Sequence, residues 1–121
     1  MSRRAAIAIA AVAALSVPSA AFAHAHLVRA VPAAGGTVRE APAEVVLSFS
    51  EKVEPAFSSA VVRDATGKAL GTSRVNVDKA DPTVLRVSLP RLDAGAYTVE
   101  WRVMSADTHK VSGSFSFRVG E

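Results

Sequence analysis

The sequence contains no cysteine, so no disulfide can brace the fold and no thiolate is available as a nucleophile or a soft metal ligand. Methionine is scarce as well, with two residues in a chain of 121. The middle of the chain, residues 61–77, has neither methionine nor histidine. Sulfur ligands are therefore not gathered anywhere, and a soft-metal site built from them is excluded.

The sequence also lacks an apolar run long enough to cross a bilayer. Residues 5–15 are apolar, but a membrane-spanning helix needs about 20 such residues. The run follows Arg3 and Arg4 and ends in the small-residue segment 21–23, which is the pattern of a secretory signal peptide. We therefore predict a signal peptide over residues 1–23, cleavage after Ala23 and export of the remaining chain, with cleavage after Ala25 as the alternative.

No excess of one charge remains once the first 23 residues are set aside. Two of the 14 Lys and Arg residues lie in that segment, so the other 98 residues carry 12 basic against 11 acidic side chains. Charges of both signs are scattered, which argues against a nucleic-acid surface. Gly35-Gly36 does not belong to a strand-to-helix phosphate loop, and no Ser/His/Asp grouping indicates a hydrolase. Residues 24–121 are predicted to form one domain.

Apolar and polar residues alternate along several short segments, with Gly, Pro and Asp turns between them and no helical periodicity. This pattern predicts an all-β protein, an antiparallel immunoglobulin-like β-sandwich with Greek-key connections and about seven strands. Trp101 shares its face with other apolar residues and is predicted to be a core anchor. The predicted strands cover residues 27–31, 44–50, 59–63, 69–77, 83–89, 97–103 and 115–119.

Asp107 and His109 lie two residues apart in the polar connection between the last two strands. On an extended chain they would lie on the same side and could bind one metal ion together, although such a pair also commonly faces solvent or caps a turn. Cleavage after Ala23 would make His24 the first residue, and its amine and imidazole would form a chelate unless the terminus is simply frayed. Glu51 is either an acidic neighbour of this site or a solvated carboxylate.

The chain after residue 23 contains three histidines, His24, His26 and His109. Two imidazoles, a terminal amine and a carboxylate form a nitrogen-rich set of ligands. This set suits tetragonal Cu(II) by ligand type and by the Irving–Williams order, and Zn(II) could use it less tightly.

The sequence resembles the CopC-type periplasmic copper-binding proteins of bacteria. The resemblance is carried by the segment His24-Ala25-His26-Leu27-Val28 directly after the signal, by Leu47-Ser48-Phe49-Ser50-Glu51, and by residues 101–119 with Ser105-Ala106-Asp107-Thr108-His109. It implies a β-sandwich that holds one Cu(II) ion per chain. The implied ligands are the amine and imidazole of His24, the imidazole of His109 and the carboxylate of Asp107, with Glu51 near the site.

The resemblance also implies a non-enzymatic role in copper resistance or homeostasis, in which copper is sequestered or delivered to a membrane copper transporter of the CopD type. We expect a monomer. Some relatives have a second site, for Cu(I), in a methionine-rich loop, but here the only methionine after the signal is Met104. We therefore predict no dedicated Cu(I) site.

Two other classes of function remain open. An amine and two imidazoles around copper are similar to the centre of polysaccharide monooxygenases, but this chain is small and has no row of exposed aromatics to hold a sugar polymer. The third interpretation is a plain immunoglobulin-like interaction module with incidental histidines.

Overall fold

The computed structural model describes residues 25–70 and 75–121, which form two four-stranded β-sheets. The strands follow the order β1-β3-β6-β5 in the first sheet and β2-β8-β7-β4 in the second. A short 3₁₀ turn, Pro55–Phe57, lies between β3 and β4. The strands are β1 (Leu27–Val31), β2 (Thr37–Val38), β3 (Glu44–Phe49), β4 (Ser59–Arg63), β5 (Val75–Val77), β6 (Val84–Ser88), β7 (Gly95–Met104) and β8 (Lys110–Val119).

The chain passes repeatedly from one sheet to the other, because β3 and β4, β4 and β5, and β6 and β7 lie in opposite sheets. This arrangement is the Greek-key β-sandwich that the sequence predicts. The segment 1–24, with the predicted signal peptide and His24, lies outside the described residues.

Alternating side chains of both sheets form a single core. In the first sheet, Val45 pairs with Val87 and Leu47 with Leu85, and all four are fully buried. The second sheet contributes the odd-numbered residues 97–103 of β7. Trp101 is the predicted core anchor: 7% of its surface is exposed, and its ring meets Phe49 of the opposite sheet edge-on, with centroids 5.2 Å apart.

Tyr97 fixes the corner at the start of β7. Its ring is buried against Phe117, and its hydroxyl donates a hydrogen bond of 2.6 Å to the carbonyl oxygen of Asp93, four residues upstream. A tyrosine that reaches back to the backbone in this way is a hallmark of immunoglobulin-like sandwiches.

The structure differs from the predicted strand set at three places. The last strand, predicted over 115–119, begins at Lys110 and runs as β8 to Val119. Thr37–Val38 forms a two-residue strand that pairs in parallel with β8, whereas the sequence predicts antiparallel strands and a turn near this point. The weak strand predicted for 69–77 is observed at Val75–Val77, and Ala69 makes only an isolated bridge with Arg63. Residues 71–74 lie outside the described residues.

Strand β1 is an edge strand with an irregularity. Its register with β3 shifts between Leu27 and Arg29, which is the signature of a β-bulge. Within the two described segments, no helix has the length and apolarity needed to cross a membrane.

Candidate metal centre

The longest strand pair of the fold carries the loop on which the candidate metal ligands lie. β7 and β8 are in register over ten residue pairs, from Gly95 and Val119 to Met104 and Lys110. The chain reverses between Ser105 and His109: the Ser105 amide donates to the His109 carbonyl at 2.9 Å, and the Thr108 amide donates to the Ser105 carbonyl at 2.8 Å. This tight turn closes one end of the sandwich.

Asp107 and His109 come together on this turn, as their spacing predicts, but not on an extended chain. Thr108, between them, has a φ of 71°, and it is this left-handed residue that turns the two side chains toward each other. Asp107 Oδ2 lies 3.1 Å from His109 Nδ1. The side chains are 38% and 52% exposed, so both are accessible from solvent.

The buried side chain of Ser105 holds the carboxylate of Asp107 in place. This side chain is fully buried, and its hydroxyl donates a hydrogen bond to Asp107 Oδ1. This bond is the main cause that lowers the pKa of Asp107; burial opposes it, and hydrogen bonds with His109 lower the pKa further. The carboxylate is therefore ionised at neutral pH, as a metal ligand must be.

The segment after β3 packs against the same turn. The Ala106 amide donates to the Lys52 carbonyl at 3.0 Å, and Val53 forms a bridge with Ser105. Glu51 is half-buried on this segment, and its Oε2 is buried without a hydrogen-bond partner among the described residues. A buried carboxylate oxygen is costly unless a donor or a cation lies beside it.

The start of the described chain is joined to the other side of this segment. Ala25 is fully buried, and the amide of Ser50 donates to the carbonyl of His26 at 2.9 Å. Residues 25–26, 50–53 and 105–109 thus form a continuous hydrogen-bonded arrangement at one end of the sandwich. Three segments that are far apart in the sequence meet there.

The predicted site residues are brought together only in part. Asp107 and His109 form a pair, whereas no group of three or more His, Asp and Glu residues within 25–70 and 75–121 is arranged to hold a metal ion. Glu51 lies on the neighbouring segment 50–53, and His24 lies outside the described residues.

Ser105 and Ser50 are site residues that sequence reasoning missed. Ser105 carries a weak local signal, because a serine two residues before an aspartate can bond to it across a turn. Ser50 bonds to His26, which is 24 residues away, and no sequence pattern indicates that contact.

Together, the fold and the site define a small β-sandwich with a carboxylate–imidazole pair on the loop between its two longest strands. The family model for the CopC domain matches residues 27–120. The chain therefore belongs to the CopC domain family, which confirms the family resemblance seen in the sequence.

Named relatives and a solved structure agree with this assignment. Copper resistance protein C of Xanthomonas campestris pv. juglandis is 40% identical over 115 residues, which cover 89% of each chain. Copper transport protein CutJ of Bacillus subtilis (strain 168) is 33% identical over 106 residues, which cover 87% of this chain but 20% of CutJ. The chain thus spans about a fifth of the length of CutJ.

The crystal structure of CopC from Methylosinus trichosporium OB3b superposes on this fold with a TM-score of 0.77 at 38% sequence identity. The superposition covers 80% of this chain and 94% of that chain. The β-sandwich architecture is thus shared by a protein of the same family.

Proposed function

We propose that this protein is a periplasmic Cu(II)-binding protein that acts in copper resistance or homeostasis. The chain is cleaved after Ala23, and residues 24–121 form the domain that binds one Cu(II) ion. The ligands are the amine and imidazole of His24, the carboxylate of Asp107 and the imidazole of His109. The names of the relatives, a copper resistance protein and a copper transport protein, support the choice of copper.

The observation that carries this proposal is the pairing of Asp107 and His109 at the end of the sandwich where the chain starts. Nδ1 of His109 lies 3.1 Å from Asp107 Oδ2, so a nitrogen donor and an oxygen donor are presented at the same place, where one metal ion can bind both. The set of nitrogen and oxygen donors suits Cu(II) better than other divalent metals of the first transition row.

Glu51 acts in this proposal as an acidic neighbour of the metal and not as part of the Asp107–His109 pair. Its buried Oε2 requires a donor or a cation, and the terminal amine and the metal at this end of the sandwich are both groups of that kind. Glu51→Gln should therefore weaken binding less than loss of His109 does.

The protein is proposed to sequester copper or to deliver it to a membrane transporter of the CopD type, without catalysing a reaction. Delivery of a single oxidation state is favoured because sulfur ligands are lacking. Met104, the only methionine after residue 23, lies half-buried within β7. A Cu(I) site needs several soft ligands in one place, and one methionine cannot supply them.

The proposal is tested by a Cu(II) titration under competition with a strong chelator. The protein must start at His24, as checked by mass. Wild type is compared with Asp107→Ala, with His109→Ala and with a variant that carries one extra residue before His24. We expect one Cu(II) per chain, and a loss of at least about tenfold in affinity in each variant, which corresponds to about 1.4 kcal/mol.

Thr98→Ala is a matched control, because Thr98 lies on the outer face of β7 away from the loop and should leave the affinity unchanged. Affinity equal to that of a free His-Ala-His peptide, and indifferent to Asp107 and His109, would mean that the chain keeps the family's fold without this site.

A further inference from the structure

Ser50 makes an unusually complete set of hydrogen bonds with one residue, His26. Its amide donates to the His26 carbonyl at 2.9 Å, its hydroxyl accepts from the His26 amide at 3.0 Å, and its hydroxyl lies 3.1 Å from Nδ1 of the His26 ring. The amide nitrogen and the ring Nδ1 of His26 are therefore both hydrogen-bonded to the side chain of Ser50.

The hydroxyl of Ser50 replaces a backbone carbonyl as the hydrogen-bond acceptor for the His26 amide. β1 and β3 pair antiparallel up to Leu27 and Phe49, so His26 and Ser50 stand at the next position of the ladder. In a regular ladder the His26 amide would bond to a backbone carbonyl, but here it bonds to the side chain. The backbone of β3 is thereby released to turn toward Lys52, whose carbonyl bonds to the loop that carries Asp107.

The sequence around His26 offers copper a second way to bind. In a chain that starts at His24, His26 is the third residue. A free terminus of that kind can wrap Cu(II) in one plane with the terminal amine, the deprotonated amides of residues 25 and 26, and Nδ1 of the third residue's imidazole, a square-planar nitrogen set that Cu(II) favours. This peptide-type mode would use neither Asp107 nor His109.

We propose that Ser50 is a specificity-determining positioning residue that withholds the terminal segment from this peptide-type mode. The inference rests on the proposed function, because it concerns which donors the same copper ion receives. The Ala25 residue, which would supply one of the amide donors, is fully buried. The His26 amide and Nδ1, which would supply two more, are both bonded to Ser50.

The hydrogen bonds of Ser50 hinder copper binding at both His26 donors, the amide nitrogen and Nδ1. Binding through the His26 amide requires loss of its proton, and that proton is the one it donates to Ser50, so the hydrogen bond is lost with it. Nδ1 is engaged whichever ring nitrogen carries the proton, because a hydroxyl both donates and accepts. With His26 occupied, copper is left with the proposed set of ligands, which are His24 and the Asp107–His109 loop.

The test compares wild type, Ser50→Thr, Ser50→Ala and the double variant Ser50→Ala/His26→Ala, each starting at His24 as checked by mass. One equivalent of Cu(II) is added at neutral pH, and the visible absorption, circular dichroism and electron paramagnetic resonance spectra are recorded. Ser50 is exposed, so removal of its hydroxyl leaves the core intact. Thermal melting checks the folding of each variant.

We expect Ser50→Ala to gain a second copper species with a d–d band at shorter wavelength, because in-plane amide nitrogens raise the ligand field. Its affinity through the Asp107–His109 loop should fall about three- to tenfold, the effect of about one hydrogen bond. Ser50→Thr keeps the hydroxyl and should match wild type. In Ser50→Ala/His26→Ala the second species should be absent, because its imidazole donor is missing.

A wild-type spectrum and affinity in Ser50→Ala, or a second species that persists in Ser50→Ala/His26→Ala, would overturn the inference. If wild type itself shows the peptide-type spectrum and ignores Asp107→Ala, both the inference and the proposed function fail. Hydrogen exchange in the metal-free wild type gives an answer that needs no variant: the His26 amide should exchange slowly, and fast exchange overturns the inference.

Discussion

Ser105 shows how one buried side chain sets the chemistry of an exposed one. It is the only fully buried polar residue in the described part of the chain, and its hydroxyl donates to the carboxylate of Asp107. The carbonyl oxygen of His109 lies 3.2 Å from the same hydroxyl and accepts a hydrogen bond from the Ser105 amide. A single residue thus fixes both ends of the turn that presents the candidate ligands.

Ser105→Ala should raise the pKa of Asp107 toward its ordinary value in the metal-free protein. The hydroxyl bond is the largest cause that lowers this pKa, and alanine removes it while leaving the backbone hydrogen bonds of the turn. A carboxyl carbon titration followed by NMR measures the change. Cu(II) affinity should also become more dependent on pH in the acid range, because protons then compete better for the carboxylate.

Ser112→Ala is the matched control for this prediction, since Ser112 is an exposed serine on the neighbouring strand β8. It should leave the Asp107 titration unchanged. A pKa of Asp107 that does not move in Ser105→Ala would contradict the buried hydroxyl as the main cause of the shift.

The spacing of Asp107 and His109 predicted that the two side chains would approach each other, but on an extended chain and not on the turn that the structure shows. The reason for their approach was not predictable, since it depends on a left-handed Thr108 and on a buried Ser105. The bonds of Ser50 to His26 lie further still from sequence reasoning, because they depend on where two strands end in space.

At the scale of elements, the β7–β8 pair depends on a glycine. Gly113 stands opposite Trp101 in the register, and the indole ring lies across the space that a side chain would fill. A Cβ added at Gly113 would lie 2.5 Å from Cζ2 of Trp101. The Trp101 ring can therefore pack in this position only because residue 113 has no side chain.

Gly113→Ala should lower the free energy of unfolding by about 1–3 kcal/mol, the usual cost of overpacking a well-packed core. The free-energy cost of this overlap exceeds the stabilisation that alanine brings by restricting the unfolded chain, which is about 0.4–1 kcal/mol. Denaturant unfolding measures the difference.

Gly120→Ala provides the control for Gly113→Ala. Its added Cβ would meet Thr37 Cγ2 at 3.6 Å, an ordinary contact, so its stability should stay within about 1 kcal/mol of wild type. Equal stabilities of the two variants would mean that the Trp101 ring can adopt another position at no cost in stability.

The strands that carry strong alternation were predicted to within one or two residues, as β3, β4 and β6 show. Alternation gives a clear signal when one face of a strand is buried over several residues. β2 could not be predicted, because two residues contain no period and its parallel pairing with β8 depends on the tertiary fold. The confirmed burial of Trp101 follows from its shared parity with Tyr97 and Val99.

At the scale of the whole molecule, several turns are fastened by carboxylates. Three aspartates each accept a hydrogen bond from the residue two positions further on, and these bonds lower the pKa values of the carboxyl groups: Asp64 from Thr66, Asp78 from Ala80 and Asp81 from Thr83. Because these groups bind protons less readily in the folded state than in the unfolded chain, protonation favours unfolding.

The free energy of unfolding should therefore be flat from about pH 7 to about pH 5 and should fall below about pH 4, the ordinary pKa of an aspartate in an unfolded chain. The stabilising effect is present above that value and is lost as the pH falls through the lower pKa of the folded state. Denaturant unfolding of the metal-free protein at several pH values measures the slope.

A variant that combines Asp64→Asn, Asp78→Asn and Asp81→Asn is the control for the acid slope. Asparagine keeps an oxygen acceptor at each turn but cannot take up a proton, so the decline below about pH 4 should become shallower. A slope that does not change would place the acid sensitivity in other carboxylates of the chain.

The edges of the two sheets determine how this chain behaves toward its own copies. An unpaired edge is a template on which another chain can add a strand, and short or bulged edge strands resist this. β2 and β5, which are edge strands, have two and three residues. The other two edge strands, β1 and β4, have five residues each. In β1, Val28 and Val31 are 62% and 46% exposed, and the bulge at Leu27–Arg29 interrupts the row of amides and carbonyls there. The irregularity in β1 thus makes this edge a poorer template for fibril-like growth in a concentrated solution of the protein.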